Sequence, residues 1–153
     1  MENINEENIE MLADLVALNH ERVIGYAKAI GVLNNEQDSD IIAILEKNMQ
    51  QAQQFKAQLI PLVATEVDME KEQEVKSHIP WSWGEISTIV GPDPRHAVLS
   101  TCVRGEEENS KVYALAIKNM EVVENIIGVV RNQAELQLEA MQALEELLAD
   151  EQL

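Results

Sequence analysis

Apolar residues recur at steps of three and four along most of this chain, the spacing that places side chains on one face of an α-helix. The pattern predicts four helices: one from near Asn3 or Asn5 to about 31–35, a second over 39–64, a third from Pro94 to about Lys118, and a fourth that follows a turn at 118–120 and frays near the end. Helices of about 25 residues are about 38 Å long, which suits a four-helix bundle. We therefore expect an all-α fold in a single domain over 1–153.

Turn residues support these boundaries. Asp38 or Ser39 can cap the second helix, and the few polar residues before it predict that the first two helices form an antiparallel hairpin. Asp93 followed by Pro94 is typical of a helix start, because aspartate caps the free N–H groups and proline suits the first helical turn.

Residues 65–93 interrupt the helical pattern. The segment is highly charged at first and then contains Trp81, Trp83, two prolines and two glycines. Because a structureless loop of this length is unusual inside a compact domain, we predict a short helix around 82–89, with one tryptophan anchored on the bundle. A crossover of this length allows the third helix to run parallel to the second.

Glu106 is an acid in the middle of an otherwise apolar helical stripe. The stripe of the third helix consists of Leu99, Cys102, Glu106, Ser110, Tyr113 and Ile117. A carboxylate on that face points at other helices, and an unpaired buried charge is costly. We therefore expect the other helices to supply partners for Glu106, or its carboxyl group to stay protonated.

Polar residues interrupt the other three stripes at a similar depth. They are Asn19 in the first helix, residues 51–54 in the second, and Gln133 or Gln137 in the fourth. Together with the acid of the third helix, they predict a polar layer across the middle of the bundle. Hydrogen bonds from Asn19, Gln137 or Tyr26 would satisfy that acid and fix the helix register without any metal.

Composition and charge bear on the packing of the chain, its possible partners and its location. Apolar residues make up 46% of the chain and aromatic residues only 3%, which favours aliphatic helix packing. The net charge of −17 argues against nucleic acid or an anionic membrane surface as a partner. No apolar run is long enough to span a membrane, and residues 1–10 are acidic where a secretory signal is basic, so we expect a cytoplasmic protein. Cys102 is the only cysteine, and its stripe position predicts a core residue.

A metal site is the main alternative to a purely structural layer. Dinuclear iron or manganese sites in bundles take a Glu from two helices and a Glu-x-x-His pair from each of the other two, and this sequence contains no Glu-x-x-His. A mononuclear or off-centre site could use His20, Glu21, Glu106, Glu107, Glu135 and Glu139. Acids one turn apart, such as Glu135 and Glu139, more often form a solvated helix face.

The sequence gives little support to catalysis. His78 and His96 have no acid or nucleophile at a defined spacing, and the sequence contains no phosphate-binding loop, nucleophile elbow or thiol pair. We therefore expect no catalytic residues and no cofactor.

Several segments together resemble a known family. They are VALNHERVIGYAKAI at 16–30, QQFKAQL at 53–59, a tryptophan in the crossover, DPRHAVLSTCVRGEEENSKVYALAI at 93–117, and Gln133-x-Glu135. The most specific part is the Arg-Gly-Glu-Glu run at 104–107, followed by Tyr113 and Ala114. Over nearly its whole length the chain resembles an uncharacterised bacterial domain-of-unknown-function family with a ferritin-like four-helix bundle.

The resemblance implies a ferritin-like topology, with a long crossover between the second and third helices. It also implies that Glu21, Glu106, Glu107 and Glu135 are the candidate metal ligands, with iron or manganese as the ion. Gln58 stands where the family favours an acid.

We interpret the chain as a non-enzymatic scaffold or stress-related interaction domain, with a second copy or an unidentified protein as its partner. The alternative is a ferritin-like di-iron or di-manganese oxidase or store that uses Glu21, Glu106 and Glu135. A third hypothesis is a module that docks a basic partner on its acidic face.

Overall fold

The computed structural model describes residues 6–63, 94–119 and 124–151, and within them the chain is helical apart from the turn at 33–38 and Pro94. The helices are α1 (Glu6–Val32), α2 (Ser39–Val63), α3 (Arg95–Asn119) and α4 (Glu124–Glu151). Over the described residues, the predicted all-α fold with four helices is confirmed. The predicted short helix at 82–89, its tryptophan anchor and the crossover all lie outside the described residues.

The turn between α1 and α2 is held by two short polar side chains. Asp38 accepts the N–H of Ile42 at its carbonyl oxygen (2.9 Å) and the N–H of Asn34 at Oδ2 (2.9 Å). Asn34 Oδ1 in turn accepts the N–H groups of Glu36 (2.9 Å) and Gln37 (3.0 Å). Asp38, one of the two predicted capping residues, therefore immediately precedes α2 and fixes a tight antiparallel hairpin.

Two apolar clusters fill the two ends of the bundle. The first joins the beginning of α1, the end of α2, the end of α3 and the beginning of α4, and includes Leu15, Leu59, Tyr113 and Val130. The second joins the four opposite helix ends, and includes Tyr26, Leu45, Leu99 and Leu144. Consequently α1 and α4 run in one direction, while α2 and α3 run in the other.

The helices contact one another around a square. α1 packs most extensively on α2, and α3 on α4; α1 also contacts α3, and α2 contacts α4. The contact between α2 and α4 is the least extensive of these four. Among the described residues, no helix has the length and apolarity needed to cross a membrane.

The helix faces differ from the predicted stripes by one position in two helices. In α1, a step of four from Asn19 predicts Val23 in the core, whereas Val23 is half-buried and Arg22 is fully buried. In α3, Ser110 is half-buried and Asn109 is buried. Neighbouring positions differ by about 100° around a helix, so a small rotation decides which of two residues faces inward.

Arg95 holds three helix ends together. Its guanidinium donates to Asp40 Oδ2 (2.7 Å) and Asp38 Oδ1 (3.3 Å) at the start of α2, and to Glu151 Oε1 (2.7 Å) at the end of α4. The hydrogen bond from Arg95 lowers the pKa of Asp40 to about 2. Arg95 therefore stabilises the end of the bundle where α3 begins, provided that its acids are ionised.

We predict that Arg95→Gln lowers the free energy of unfolding by about 1 kcal/mol at neutral pH, because several partly exposed ion pairs are lost together. The folded-state pKa of Asp40 lies below its ordinary value of 3.8, so its contribution is present above about pH 4 and is lost as the pH falls toward 2. Urea denaturation of both proteins across this range measures the difference. Arg131→Gln, at an exposed position of α4, is the matched control. An equal loss in both variants, or a difference that persists at the lowest pH, would contradict the ion-pair explanation.

Candidate functional site: a buried ion pair in a polar layer

Glu106 of α3 and Arg22 of α1 form an ion pair in the centre of the bundle. Both side chains are fully buried. Nη2 and Nε of Arg22 both donate to Oε2 of Glu106, at 2.8 and 3.1 Å. The expectation that Glu106 is buried among partners is confirmed, and its main partner is a cation from another helix.

Further donors surround the Glu106 carboxylate. Tyr26 donates its hydroxyl to Oε2 (2.5 Å), and Asn109 donates its amide to Oε1 (2.8 Å). Gln137 Nε2 donates to the backbone carbonyl of Glu106 (2.9 Å) and lies 3.4 Å from Oε1. Of the three predicted partners, Tyr26 and Gln137 contact Glu106 directly. Asn19 reaches it through Arg22.

The Arg22 guanidinium also has partners on every side. Nη2 donates to Gln51 Oε1 (2.7 Å), Nη1 donates to Asn19 Oδ1 (3.0 Å), and the Phe55 ring centroid lies 5.7 Å from Cζ. Burial is the largest single effect and lowers the pKa of Arg22, but the charge of Glu106, the hydrogen bond to Glu106 and the two nearby tyrosines together outweigh burial, so the pKa is raised. The guanidinium is therefore a permanent cation at neutral pH.

Hydrogen bonds continue from Asn19 through the rest of the layer. Asn19 Nδ2 donates to Tyr113 Oη (2.9 Å), whose hydroxyl donates to Gln133 Oε1 (2.8 Å). Gln133 Nε2 then donates to Gln58 Oε1 (2.9 Å) and to the backbone carbonyl of Phe55 (3.2 Å). All four helices thus contribute to one connected network, as the predicted polar layer required. Because it lies between the two apolar clusters, its geometry fixes the axial register of the helices.

Burial keeps the two phenols of the layer and the nearby Cys102 thiol protonated. Burial, followed by the charge of Glu106, raises the pKa of Tyr26 well above 10. Burial also raises the pKa of Tyr113 to about 12 and that of the Cys102 thiol above its ordinary range. Neither phenol nor the thiol is an anion at neutral pH, so none of them is activated as a nucleophile or a base.

The four predicted metal ligands lie in different environments. Glu106 is inside the network and Glu21 is buried on α1, whereas Glu107 and Glu135 are exposed on α3 and α4. In the part of the chain that the structure describes, no three His, Cys, Asp or Glu side chains are grouped so that they could hold a metal ion. The metal site therefore stays a prediction.

Sequence reasoning missed Arg22, the most important partner in the site. A signal was available, because Arg22 follows Asn19 by three positions and precedes Tyr26 by four, the same spacing that defines the buried face. The long aliphatic stem of arginine lets such a residue fit either face. Asn48, buried on α2 with Nδ2 3.4 Å from Tyr26 Oη, was also missed, because Met49 beside it fits the apolar pattern.

Comparison with protein-family models, curated proteins and solved structures found no match to this chain. The functional interpretation therefore rests on the geometry of the polar layer and of the surface around it.

Proposed function

We propose that this protein is a non-catalytic scaffold or interaction domain whose central polar layer has a structural role. The proposal rests on the hydrogen bonds that both oxygens of the Glu106 carboxylate already accept. Oε2 accepts from Arg22 and Tyr26, and Oε1 accepts from Asn109 and Gln137. An ionised carboxylate has about four lone-pair sites, so these donors leave Glu106 little capacity to bind a metal ion.

The charge of Arg22 also opposes the binding of a metal ion at Glu106. Its guanidinium lies 2.8 Å from the carboxylate, within the fully buried centre. A divalent cation brought to Glu106 would meet a permanent positive charge a few ångströms away, where low dielectric makes the repulsion strong. The arginine thus neutralises the acid of the layer by itself.

We further propose the ferritin-like topology that the family resemblance implies, with residues 65–93 as the crossover. The shared direction of α2 and α3 supports it, because two parallel helices cannot be joined by a tight turn. The acidic composition fits the proposed cytoplasmic location and the proposed absence of nucleic acid partners.

Elemental analysis tests the structural role of the layer. We expect no stoichiometric iron or manganese in protein purified without chelator, either before or after incubation with each ion, and the same result for Glu106→Gln. Glutamine keeps one of the two oxygens, so it can accept from Tyr26 or from Asn109 but not from both. Circular dichroism establishes that the variant is folded before its metal content is compared with that of the wild type.

About two ions per chain in the wild type, lost in Glu106→Gln, would overturn the proposal. That result would favour the alternative of a ferritin-like metal-binding protein that uses Glu21, Glu106 and Glu135. Glu135→Gln would then test whether the exposed acid takes part. Glu10→Gln, on the exposed surface of α1, controls for nonspecific binding of cations to an acidic protein.

A further inference from the structure

A groove of about 680 Å³ lies between α2 and α4, the neighbouring pair with the least extensive contact. Gln51 lines the groove and links the two helices, because its Nε2 donates to the backbone carbonyl of Leu136 (3.3 Å). The same Gln51 side chain accepts from Arg22 through Oε1. Among the described residues the groove opens at the surface of the bundle, and Gln51 lies between it and the buried ion pair.

Six of the residues that line the groove are apolar. They are Ile44, Phe55, Leu136, Ala140, Ala143 and Leu147. Leu136 is a large apolar side chain with 38% of its surface exposed, and the two alanines leave room for a partner to approach α4 closely. A groove of this kind can accept the apolar face of a helix, which places side chains at every third or fourth position.

Charge distinguishes the two sides of the groove. On the α4 side, Glu139, Glu146 and Asp150 are exposed and follow one another at steps of seven and four, so they form a line along the helix. On the α2 side, the exposed residues are Lys47 and the amides Gln50 and Gln54. The acids extend over about 16 Å of α4, at 1.5 Å per residue.

We propose that this groove binds a basic amphipathic α-helix of another protein, with the apolar face of that helix on the groove lining and its lysines or arginines beside the acids of α4. This inference rests on the proposed function as an interaction domain and names the partner class. Charge complementarity favours a basic partner over a second copy, because each copy carries a net charge of −17 and the two would repel each other.

A synthetic helical peptide is a suitable probe. It carries leucine at positions i, i+3, i+4 and i+7 and lysine on its remaining faces, with a fluorescent label for anisotropy titrations. We expect saturable binding with a one-to-one stoichiometry that weakens steeply with added salt. A peptide with the same leucines and glutamate in place of lysine is expected not to bind, and a lysine peptide with serine in place of leucine should bind at least about tenfold more weakly, because it cannot use the apolar lining.

Two groove variants, each with a matched control, locate the binding. Ala143→Trp fills the groove without a change of charge, and Ala149→Trp places the same ring on an exposed part of α4 outside it. The triple variant Glu139→Gln, Glu146→Gln and Asp150→Asn removes three charges from the groove. Its control is Glu10→Gln, Glu36→Gln and Glu108→Gln, which makes the same change in net charge elsewhere. We expect each groove variant to weaken binding by about tenfold or more and each control by less than about threefold.

Three results would overturn the proposal. The first is that the lysine–leucine peptide does not bind. This would also be the result if another part of the same chain occupied the groove. The second is equal weakening by groove and control variants, which would show nonspecific attraction to an acidic protein. The third is self-association that Ala143→Trp abolishes, measured by sedimentation of the chain alone, because a second copy would then be the occupant. Circular dichroism and urea midpoints establish that each variant is folded. A failure here leaves the structural role of the polar layer intact, since the elemental analysis tests that role separately.

Discussion

Replacing Arg22 with methionine is expected to lower the free energy of unfolding by about 3–5 kcal/mol, the usual range when one member of a buried ion pair is removed. The variant leaves the Glu106 carboxylate buried without its cation, in a site that both apolar clusters shield from water. Gln51 and Asn19 also lose the donor that each accepts from. Urea denaturation at neutral pH, followed by circular dichroism, measures the loss.

The loss of stability in Arg22→Met comes mainly from the buried Glu106 charge that is left without a cation. A double-mutant cycle tests this explanation. We expect Glu106→Gln alone to be strongly destabilising, because it leaves the guanidinium unpaired. The double variant Arg22→Met, Glu106→Gln should lose less than the sum of the two single variants, by about 2–3 kcal/mol. Glutamine keeps one oxygen, which can accept from Tyr26 or from Asn109 but not from both. That lost hydrogen bond is common to Glu106→Gln and the double variant, so it cancels in the cycle.

Two further variants keep this prediction falsifiable. Arg131→Met changes an exposed arginine of α4 and should shift the free energy of unfolding by less than about 0.5 kcal/mol. If Arg22→Met is unfolded without denaturant, Arg22→Lys retains the charge and gives a smaller loss that can be measured. Additive single losses, with no coupling, would show that the pair is replaceable and that the layer does not depend on it.

Raising the pH above about 10 is expected to destabilise the protein steeply while both tyrosines remain protonated in the folded state. The chain has only Tyr26 and Tyr113, and both are buried in the polar layer. Their folded-state pKa values lie above the ordinary value of 10, so their contribution is fully present below pH 10 and is lost as the pH rises beyond it. Each phenol that stays protonated in the folded state but ionises in the unfolded state lowers the free energy of unfolding by about 1.4 kcal/mol for each unit by which the pH rises in this range.

Ultraviolet absorbance of tyrosinate and circular dichroism, recorded on the same samples, check this result. Tyrosinate should appear only together with loss of helix, because the folded protein holds both phenols neutral. The slope of the free energy of unfolding against pH gives the number of protons released on unfolding, and Tyr113→Phe should lower that number by about one. The Cys102 thiol, whose pKa burial also raises, adds to the loss from about pH 9 upward, and Cys102→Ala removes that part. Ionisation of either tyrosine near pH 10 with the helices intact would contradict the buried, neutral phenols.

The ion pair and the two tyrosines belong to one polar layer. The layer is made of groups that are costly to bury singly and become stabilising only when they meet in one arrangement. Arg22 supplies the charge that Glu106 needs, and Tyr26 donates to the same carboxylate. The neutral phenol of Tyr113 connects the pair, through Asn19, to Gln133 of α4. A helix shifted by one turn would break these contacts, whereas the aliphatic clusters at either end could repack.

The sequence by itself determined the four helices, because the apolar period and the capping residues are local properties of each segment. It also determined the burial of Glu106 and the presence of a polar layer, since a polar residue within an apolar stripe must face the other helices. Tyr26 and Gln137 were predicted as partners for the same reason, and both contact Glu106.

Only the tertiary structure decided which cation neutralises Glu106. Arg22 and Val23 are adjacent, so the local pattern fits either one on the core face, and the choice follows from how α1 is rotated against α3. The groove between α2 and α4 is likewise a property of the assembled bundle. Its two sides come from residues about 90 positions apart in sequence, such as Lys47 and Glu139, and no local pattern encodes how far apart two packed helices lie.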